Sequence, residues 1–142
     1  MRFMVVVKAN DESEAGVMPT TEQLDDMGKF NTELMNAGIM LAGEGLQPSS
    51  KGARITYEGG GKTSVVDGPF AETKELIAGF WILQVKSRDE VIEWMRRAPF
   101  EPGATLEIRQ VFEAEDFGDE FTPEARAAEA ALRERLEERS KG

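Results

Sequence analysis

The sequence predicts an α+β protein whose helices pack on one face of a mainly antiparallel sheet. Over residues 1–112, two amphipathic helical patterns alternate with β-rich segments in the order strand, helix, strand, two hairpin strands, strand, helix, strand. The 142 residues suit one domain, and 40% hydrophobic with 31% charged residues is a composition that forms a core. This order predicts a ferredoxin-like βαββαβ core with an inserted β-hairpin.

The first strand and the first helix have clear patterns. Phe3 to Val7 is a continuous apolar run, typical of a strand buried on both faces in the middle of a sheet. After a polar loop over residues 9–19, Thr20 followed by Gln23 forms a capping-box sequence that begins a helix, and Gly38 favours its end. The apolar residues between them recur at helical spacing: Leu24, Met27, Phe30, Leu34 and Ala37.

The next segments predict a strand and a hairpin. Residues 39–46 are apolar but contain two glycines, which indicates a strand that ends irregularly. Residues 53–58 and 62–66 are β-prone and are separated by Gly59-Gly60-Gly61, the pattern of a hairpin whose tip needs positive φ angles. The sequence Asp67-Gly68-Pro69-Phe70 then predicts a turn that closes the hairpin.

The second half of the core repeats the strand, helix, strand order. Residues 71–76 suit one helical turn, and the apolar, aromatic residues 78–85 predict another central strand. Ser87 begins a second amphipathic helix, which Pro99 stops. Residues 106–112 alternate between apolar and polar positions and predict a half-buried strand.

The last 30 residues form an acidic extension. Residues 113–142 contain ten acidic and five basic side chains, which is half of the net charge of -10. Thr122-Pro123 is a good start for a helix, although its apolar stripe is thin: Ala125, Ala128, Leu132 and Leu136. Because so thin a stripe does not fold alone, we expect residues 113–139 to pack on a partner subunit.

Composition excludes several classes of function. The sequence has no cysteine and no histidine, so disulfides, thiolate sites, imidazole zinc sites and histidine-dependent triads are excluded. A pI near 4.6 opposes binding to nucleic acid and to anionic membranes. The apolar start at residues 3–7 is too short for a signal peptide or a membrane span, which predicts a cytoplasmic protein.

Two glycine motifs and one acidic set are weak candidates for cofactor or metal binding. Gly61-Lys62-Thr63 resembles the end of a P-loop but lacks the earlier glycine of that motif. Gly43-Glu44-Gly45 resembles the start of a dinucleotide-binding fingerprint but lacks its third glycine, and neither segment is followed by a predicted helix. Glu44, Asp67, Glu72 and Glu75 have oxygen atoms that suit a hard cation, with solvated loop carboxylates as the alternative. We predict no cofactor and no metal.

A polar cluster near the turn at residue 67 is the candidate functional site. We expect Asp67, Lys74 and Glu75 to meet Glu44 at the mouth of a pocket, with Trp81 as its apolar wall. Asp67, Glu75 and Lys74 are also the candidate catalytic groups, because without histidine any acid–base chemistry needs a carboxylate, a lysine or a tyrosine. In the alternative structural interpretation, Asp67 caps the turn while Lys74 and Glu75 face solvent.

The same residues resemble the YCII-related family, in the branch named for a DGPF signature. The signature is the run Asp67-Gly68-Pro69-Phe70 continued to Glu75, and the similarity includes residues 42–48, Gly79-Phe80 and residues 107–111. The resemblance indicates a YCII-related/DGPF domain at residues 1–112 and an acidic C-terminal helical extension at residues 113–142.

This resemblance implies a fold and an assembly, and it leaves several functions open. It implies a protomer of the dimeric α/β-barrel superfamily, a homodimer of two facing sheets, and a pocket between sheet and helices. Proteins with related folds include small monooxygenases, lactone-processing enzymes and ligand sensors. The founding branch of the family is associated with a catalytic pair of histidine and aspartate, and this sequence contains no histidine. Genes of the DGPF branch often lie beside extracytoplasmic-function sigma factors, which leaves a protein partner in transcription regulation open.

We therefore expect the protein to bind a small molecule near the signature, with a sensing or regulatory role. A cofactor-independent enzyme that uses carboxylate and lysine acid–base chemistry is the first alternative. A protein-interaction module is the second.

Overall fold

The structure, a computed structural model, describes residues 1–141. The chain divides into two units, Met1–Val111 and Phe112–Gly142. The strands of the first unit are β1 (Arg2–Lys8), β2 (Met40–Gly45), β3 (Ala53–Gly59), β4 (Lys62–Asp67), β5 (Ile77–Gln84) and β6 (Leu106–Gln110). Its helices are α1 (Asp11–Glu14), α2 (Thr21–Asn36) and α3 (Arg88–Met95), and single 3-10 turns occur at Ser49–Lys51 and Thr73–Glu75.

The sheet topology is that of a ferredoxin-like core. Four strands form one sheet in the order β2-β5-β1-β6, and every neighbouring pair is antiparallel. β3 and β4 form a separate two-stranded sheet that is inserted between β2 and β5. The predicted α+β class and the inserted hairpin are therefore confirmed.

One face of the sheet carries the core. Val5 lies opposite Trp81 and Phe3 lies opposite Leu83, so alternate residues of β1 and β5 point toward α2 and α3. Met4 and Val6 point to the other face and are only half-buried. The prediction that β1 is buried on both faces does not hold within one chain, because α2 and α3 pack on the same side of the sheet.

The caps of α2 form as predicted, but its buried stripe is narrower. The Thr20 hydroxyl accepts a hydrogen bond from the Gln23 backbone N–H at 3.1 Å, and the Gln23 side chain accepts one from the Thr20 N–H at 2.9 Å. Phe30 and Leu34 are buried, whereas Leu24 at the start of the helix remains 56% exposed. The N-terminal turn of α2 thus contributes no buried side chain to the core.

Two further boundaries differ from the prediction. α1 lies within the predicted polar loop, where Asn10 and Ser13 form a capping box around a single helical turn. α3 ends at Met95, four residues before Pro99, and the chain continues in turns because the residue preceding a proline disfavours the helical region.

The second unit contains a 3-10 segment and a long helix. The 3-10 segment covers Ala114–Glu120, and α4 covers Pro123–Lys141 with the Thr122 hydroxyl accepting a hydrogen bond from the Ala125 N–H. Phe117 stacks on Phe112 and meets Phe121 edge-on, an aromatic group that sequence periodicity did not predict. Among residues 1–141, no helix combines the length and the apolar character that crossing a membrane requires.

Candidate functional site

Residues 67–75, called the signature loop below, begin with a close approach of two backbone segments. The Gly68 N–H donates to the Gly52 carbonyl oxygen at 3.0 Å. A Cβ atom at position 68 would lie 1.7 Å from the Ser49 carbonyl oxygen, far inside van der Waals contact. Only glycine fits this position, which explains the glycine of the signature without any catalytic role.

A relay of hydrogen bonds joins this loop to α1. The Phe70 N–H donates to the Ser49 hydroxyl oxygen at 3.1 Å. The Ser49 N–H donates to one oxygen of the Glu14 carboxylate at 2.9 Å, and the Ser49 hydroxyl donates to the other. Ser49 thereby connects three segments that are distant in the chain.

The same hydrogen bonds change the acidity of Glu14. The Ser49 hydroxyl and then the Ser49 N–H stabilise the charged carboxylate, so the pKa of Glu14 lies below its ordinary value of 4.5. The relay therefore favours the ionised form of the Glu14 carboxyl, which is the form present at neutral pH.

Arg54 fixes the loop from the side of the hairpin. Its guanidinium carbon lies 3.9 Å from the centroid of the Phe70 ring, within cation–π distance. Its Nη1 atom lies 3.6 Å from Oε2 of Glu72. Because Arg54 is on β3, the hairpin and the signature loop are held in one arrangement.

The fixed loop forms one wall of an open cleft of about 580 Å³. The opposite wall is formed by Asn10 and Asp11 at the start of α1. Six of the seven residues that line the cleft have polar or charged side chains: Asn10, Asp11, Glu72, Thr73, Lys74 and Glu75, with Ala71 as the seventh. The two lining segments are joined by a backbone hydrogen bond next to the cleft, in which the Ala9 N–H donates to the Leu76 carbonyl oxygen at 2.9 Å.

The structure brings two of the predicted site residues to this cleft. Lys74 and Glu75 line it, with exposed side chains. Asp67 and Glu44 do not line it: Asp67 ends β4 opposite Ala53, and Glu44 is exposed on β2 opposite Phe80. Within the described residues, none of the four forms an ion pair, and Asp67 makes no side-chain cap of the turn.

Trp81 belongs to the core and does not form a wall of this cleft. It is 5% exposed, its Nε1–H donates to Oδ1 of Asn31 at 2.9 Å, and its ring meets Phe30 and Phe100 edge-on. It points to the helix face of the sheet, whereas Glu44 lies on the face that carries Phe80. Trp81 also explains Gly43, because a Cβ atom there would lie 2.9 Å from the indole ring.

Catalysis by the predicted groups has less geometric support than binding. Acid–base catalysis at neutral pH uses a carboxyl or lysine whose pKa is shifted by burial or by neighbouring charges. Asp67, Lys74 and Glu75 are all exposed. For metals, residues 1–141 contain no group of three or more acidic side chains that are placed to hold an ion.

A second depression in the surface lies along α2. It has a volume of about 560 Å³ and is lined by residues of one helix only: Leu24, Asp25, Gly28, Lys29 and Thr32. A groove along one helix has no facing wall to orient a ligand. The cleft at the signature loop, which two separate segments line, is the better candidate.

Sequence reasoning missed the residues that hold the site together. Glu14, Ser49 and Arg54 position the signature loop, but they lie 35, 21 and 16 residues away from their partners in the chain. A sequence motif of a few residues cannot predict contacts between residues so far apart in the chain. The one available signal was the cluster Pro48-Ser49-Ser50, which is typical of a turn that caps a neighbouring segment.

Comparison with known proteins gives a family, one relative in sequence and one similar solved structure. Residues 1–115 match the sequence model of the YCII-related domain. The chain is 32% identical over 90 residues to the uncharacterized protein R00369 of Rhizobium meliloti (strain 1021), an alignment that covers 61% of this chain and 72% of that protein.

Among solved structures, one similar chain is the 5-chloro-2-hydroxyhydroquinone dehydrochlorinase TftG of Burkholderia phenoliruptrix AC1100, in complex with 2,5-dihydroxybenzoquinone. The alignment covers 81% of this chain and 98% of that chain, with 16% sequence identity and a TM-score of 0.39.

Proposed function

The chain belongs to the YCII-related family, and from this premise we propose that it binds a small polar molecule in the cleft beside the signature loop. Binding serves a sensing or regulatory role in this proposal. The observation that supports it is the fixed position of the signature loop: the Glu14–Ser49–Phe70 relay and the Arg54 contact hold the residues that lead to Lys74 and Glu75 at the wall of the cleft.

The charges of the cleft favour a class of ligand. Asp11, Glu72 and Glu75 are acidic and Lys74 is the basic residue of the lining, in a protein of net charge -10. Such a site repels polyanions and suits a neutral or cationic molecule that carries hydroxyl or amino groups. Lys74 adds one donor for a carbonyl or a single carboxylate of the ligand.

A homodimer through the face of the sheet opposite the helices is part of the proposal. This face carries half-buried apolar side chains, which a facing sheet would cover: Met4, Val6, Phe80 and Ile82. Apolar residues in adjacent positions of two central strands form a continuous patch, and such patches support protein contacts.

A thermal-shift screen tests the binding proposal. A library of small polar metabolites is added to the wild-type protein, and compounds that bind the native state raise its unfolding temperature. Lys74→Ala and Glu75→Gln should each reduce the shift caused by a hit at least by half. Lys51→Ala and Asp67→Asn are the matched controls, because these charged side chains are exposed and lie outside the cleft lining.

Two results would contradict the proposal. One is a complete absence of stabilising compounds among neutral and cationic metabolites. The other is a set of hits whose shifts are the same in Lys74→Ala, Glu75→Gln and the wild type, since binding would then occur elsewhere.

A further inference from the structure

The β3–β4 hairpin presents an apolar strip that nothing in the described chain covers. Ile55 lies directly opposite Val65, and Tyr57 follows on the same face of the hairpin. These side chains are 60%, 61% and 84% exposed, in the order Ile55, Val65, Tyr57. Three large apolar side chains in adjacent positions form a patch rather than scattered exposed residues.

The opposite face of the hairpin is anchored. Arg54 lies on that face, and it stacks on Phe70 and contacts Glu72 of the signature loop. At the base of the hairpin, the Gly68 N–H donates to the Gly52 carbonyl oxygen. The contacts with the signature loop therefore lie on one face of the hairpin, and the strip lies on the other.

A two-stranded sheet with every residue of β3 exposed is marginal by itself. Covering the strip would remove its apolar surface from water and supply the missing packing. We propose that a second copy of this chain covers the strip formed by Ile55, Tyr57 and Val65, so that the hairpin acts as an arm of the dimer interface.

Charge favours a second copy as the occupant. Residues 53–67 contain Arg54 and Lys62 against Glu58 and Asp67, so the hairpin has no net charge, and the remainder of the chain carries all of the net charge of -10. Two copies of so acidic a protein repel each other over most of their surface. The hairpin is a region where they can approach without that repulsion.

The small size of the strip indicates that it forms only one part of a dimer interface, together with the four-stranded sheet. A stable dimer buries about 800 Å² on each partner. Three side chains provide only part of this area, and the proposed contact through the face carrying Val6 and Phe80 provides the rest. The inference therefore depends on the proposed homodimer and does not depend on ligand binding.

Sedimentation equilibrium of matched hairpin variants tests the inference. The double substitution Ile55→Thr with Val65→Thr makes the strip polar and keeps β-branched side chains that suit a strand. The matched control is Val66→Thr, whose side chain is 57% exposed and lies on the anchored face opposite Arg54. The double variant should raise the dimer dissociation constant at least tenfold, and Val66→Thr should change it less than twofold.

Hydrogen exchange at concentrations below dimerisation verifies that the hairpin remains formed in the double variant. If the wild type forms a dimer and the double variant has the same dissociation constant, the inference is overturned while the homodimer stands. An equal weakening by Val66→Thr would also overturn it, because the effect would not belong to the strip. A wild-type protein that remains monomeric would overturn the homodimer and the arm together, whereas the thermal-shift screen would still test the cleft.

Discussion

At position 68, a methyl group would lie 1.7 Å from a backbone oxygen, and at position 28 it would meet nothing within 4 Å. The two glycines thus have different reasons to be there. Gly68 allows the signature loop to touch the Ser49 segment, while Gly28 lies inside α2 at a position with no close neighbour. Two residues of the signature are thus explained by contacts with Ser49: Gly68 by the close approach of the backbones, and Phe70 by its N–H donating to the Ser49 hydroxyl.

Alanine substitutions at these two glycines should have opposite effects. Gly68→Ala should lower the free energy of unfolding by about 2 kcal/mol or more, because backbone atoms must move to admit the methyl group. Gly28→Ala should raise it by about 0.5–1 kcal/mol, because alanine is the better helix former. Urea denaturation measures both, and equal effects of the two substitutions would contradict the close approach at Gly68.

Ser49→Ala should show a pH dependence that belongs to Glu14. The folded-state pKa of Glu14 lies below the ordinary value of 4.5, so its contribution to stability is complete above pH 4.5 and disappears as the pH falls through the lower folded-state pKa. Ser49→Ala removes the main cause of that shift. The difference in unfolding free energy between wild type and variant should therefore be larger at pH 7 than near pH 2.

The matching NMR titration follows the Glu14 carboxyl carbon directly. In Ser49→Ala its pKa should move upward, toward 4.5, because the largest stabilising hydrogen bond is lost. A stability difference that is the same at both pH values, with an unchanged titration of Glu14, would contradict the relay.

At the scale of elements, local signals predicted most of the fold. The capping box at Thr20 and Gln23 and the three glycines of the hairpin tip, with φ of 91°, 61° and 76°, have the structures that their patterns indicate. The single turn of α1 was missed because it has no apolar periodicity. The orientation of Trp81 was hidden because residues 78–83 are continuously apolar or aromatic, so the sequence shows no alternation that distinguishes the faces of β5.

The acidic extension gives a prediction for a whole element. Removal of residues 113–142 should raise the dissociation constant of the proposed dimer while changing the unfolding temperature of the remaining chain by only a few degrees, because the first unit contains its own core. Size-exclusion chromatography with light scattering and calorimetry measure the two quantities. An unchanged dimer affinity would show that the extension does not contact a partner subunit.

At the scale of the whole molecule, the candidate site depends on contacts that no local pattern contains. The sequence placed Lys74 and Glu75 at a site because a turn is followed there by a dense set of charges, and both line the cleft. It also included Asp67, Glu44 and Trp81, which the sheet directs elsewhere. Side-chain direction in a strand depends on register, and register depends on pairing between distant segments.

The most direct test of the central claim is a map of where a stabilising compound binds. Amide chemical shifts of the uniformly labelled protein are recorded while a hit from the metabolite screen is added. We expect the largest changes on Asn10, Asp11 and residues 71–75, and no change on residues 24–32 of α2. Changes concentrated on α2, with residues 71–75 unaffected, would contradict this expectation.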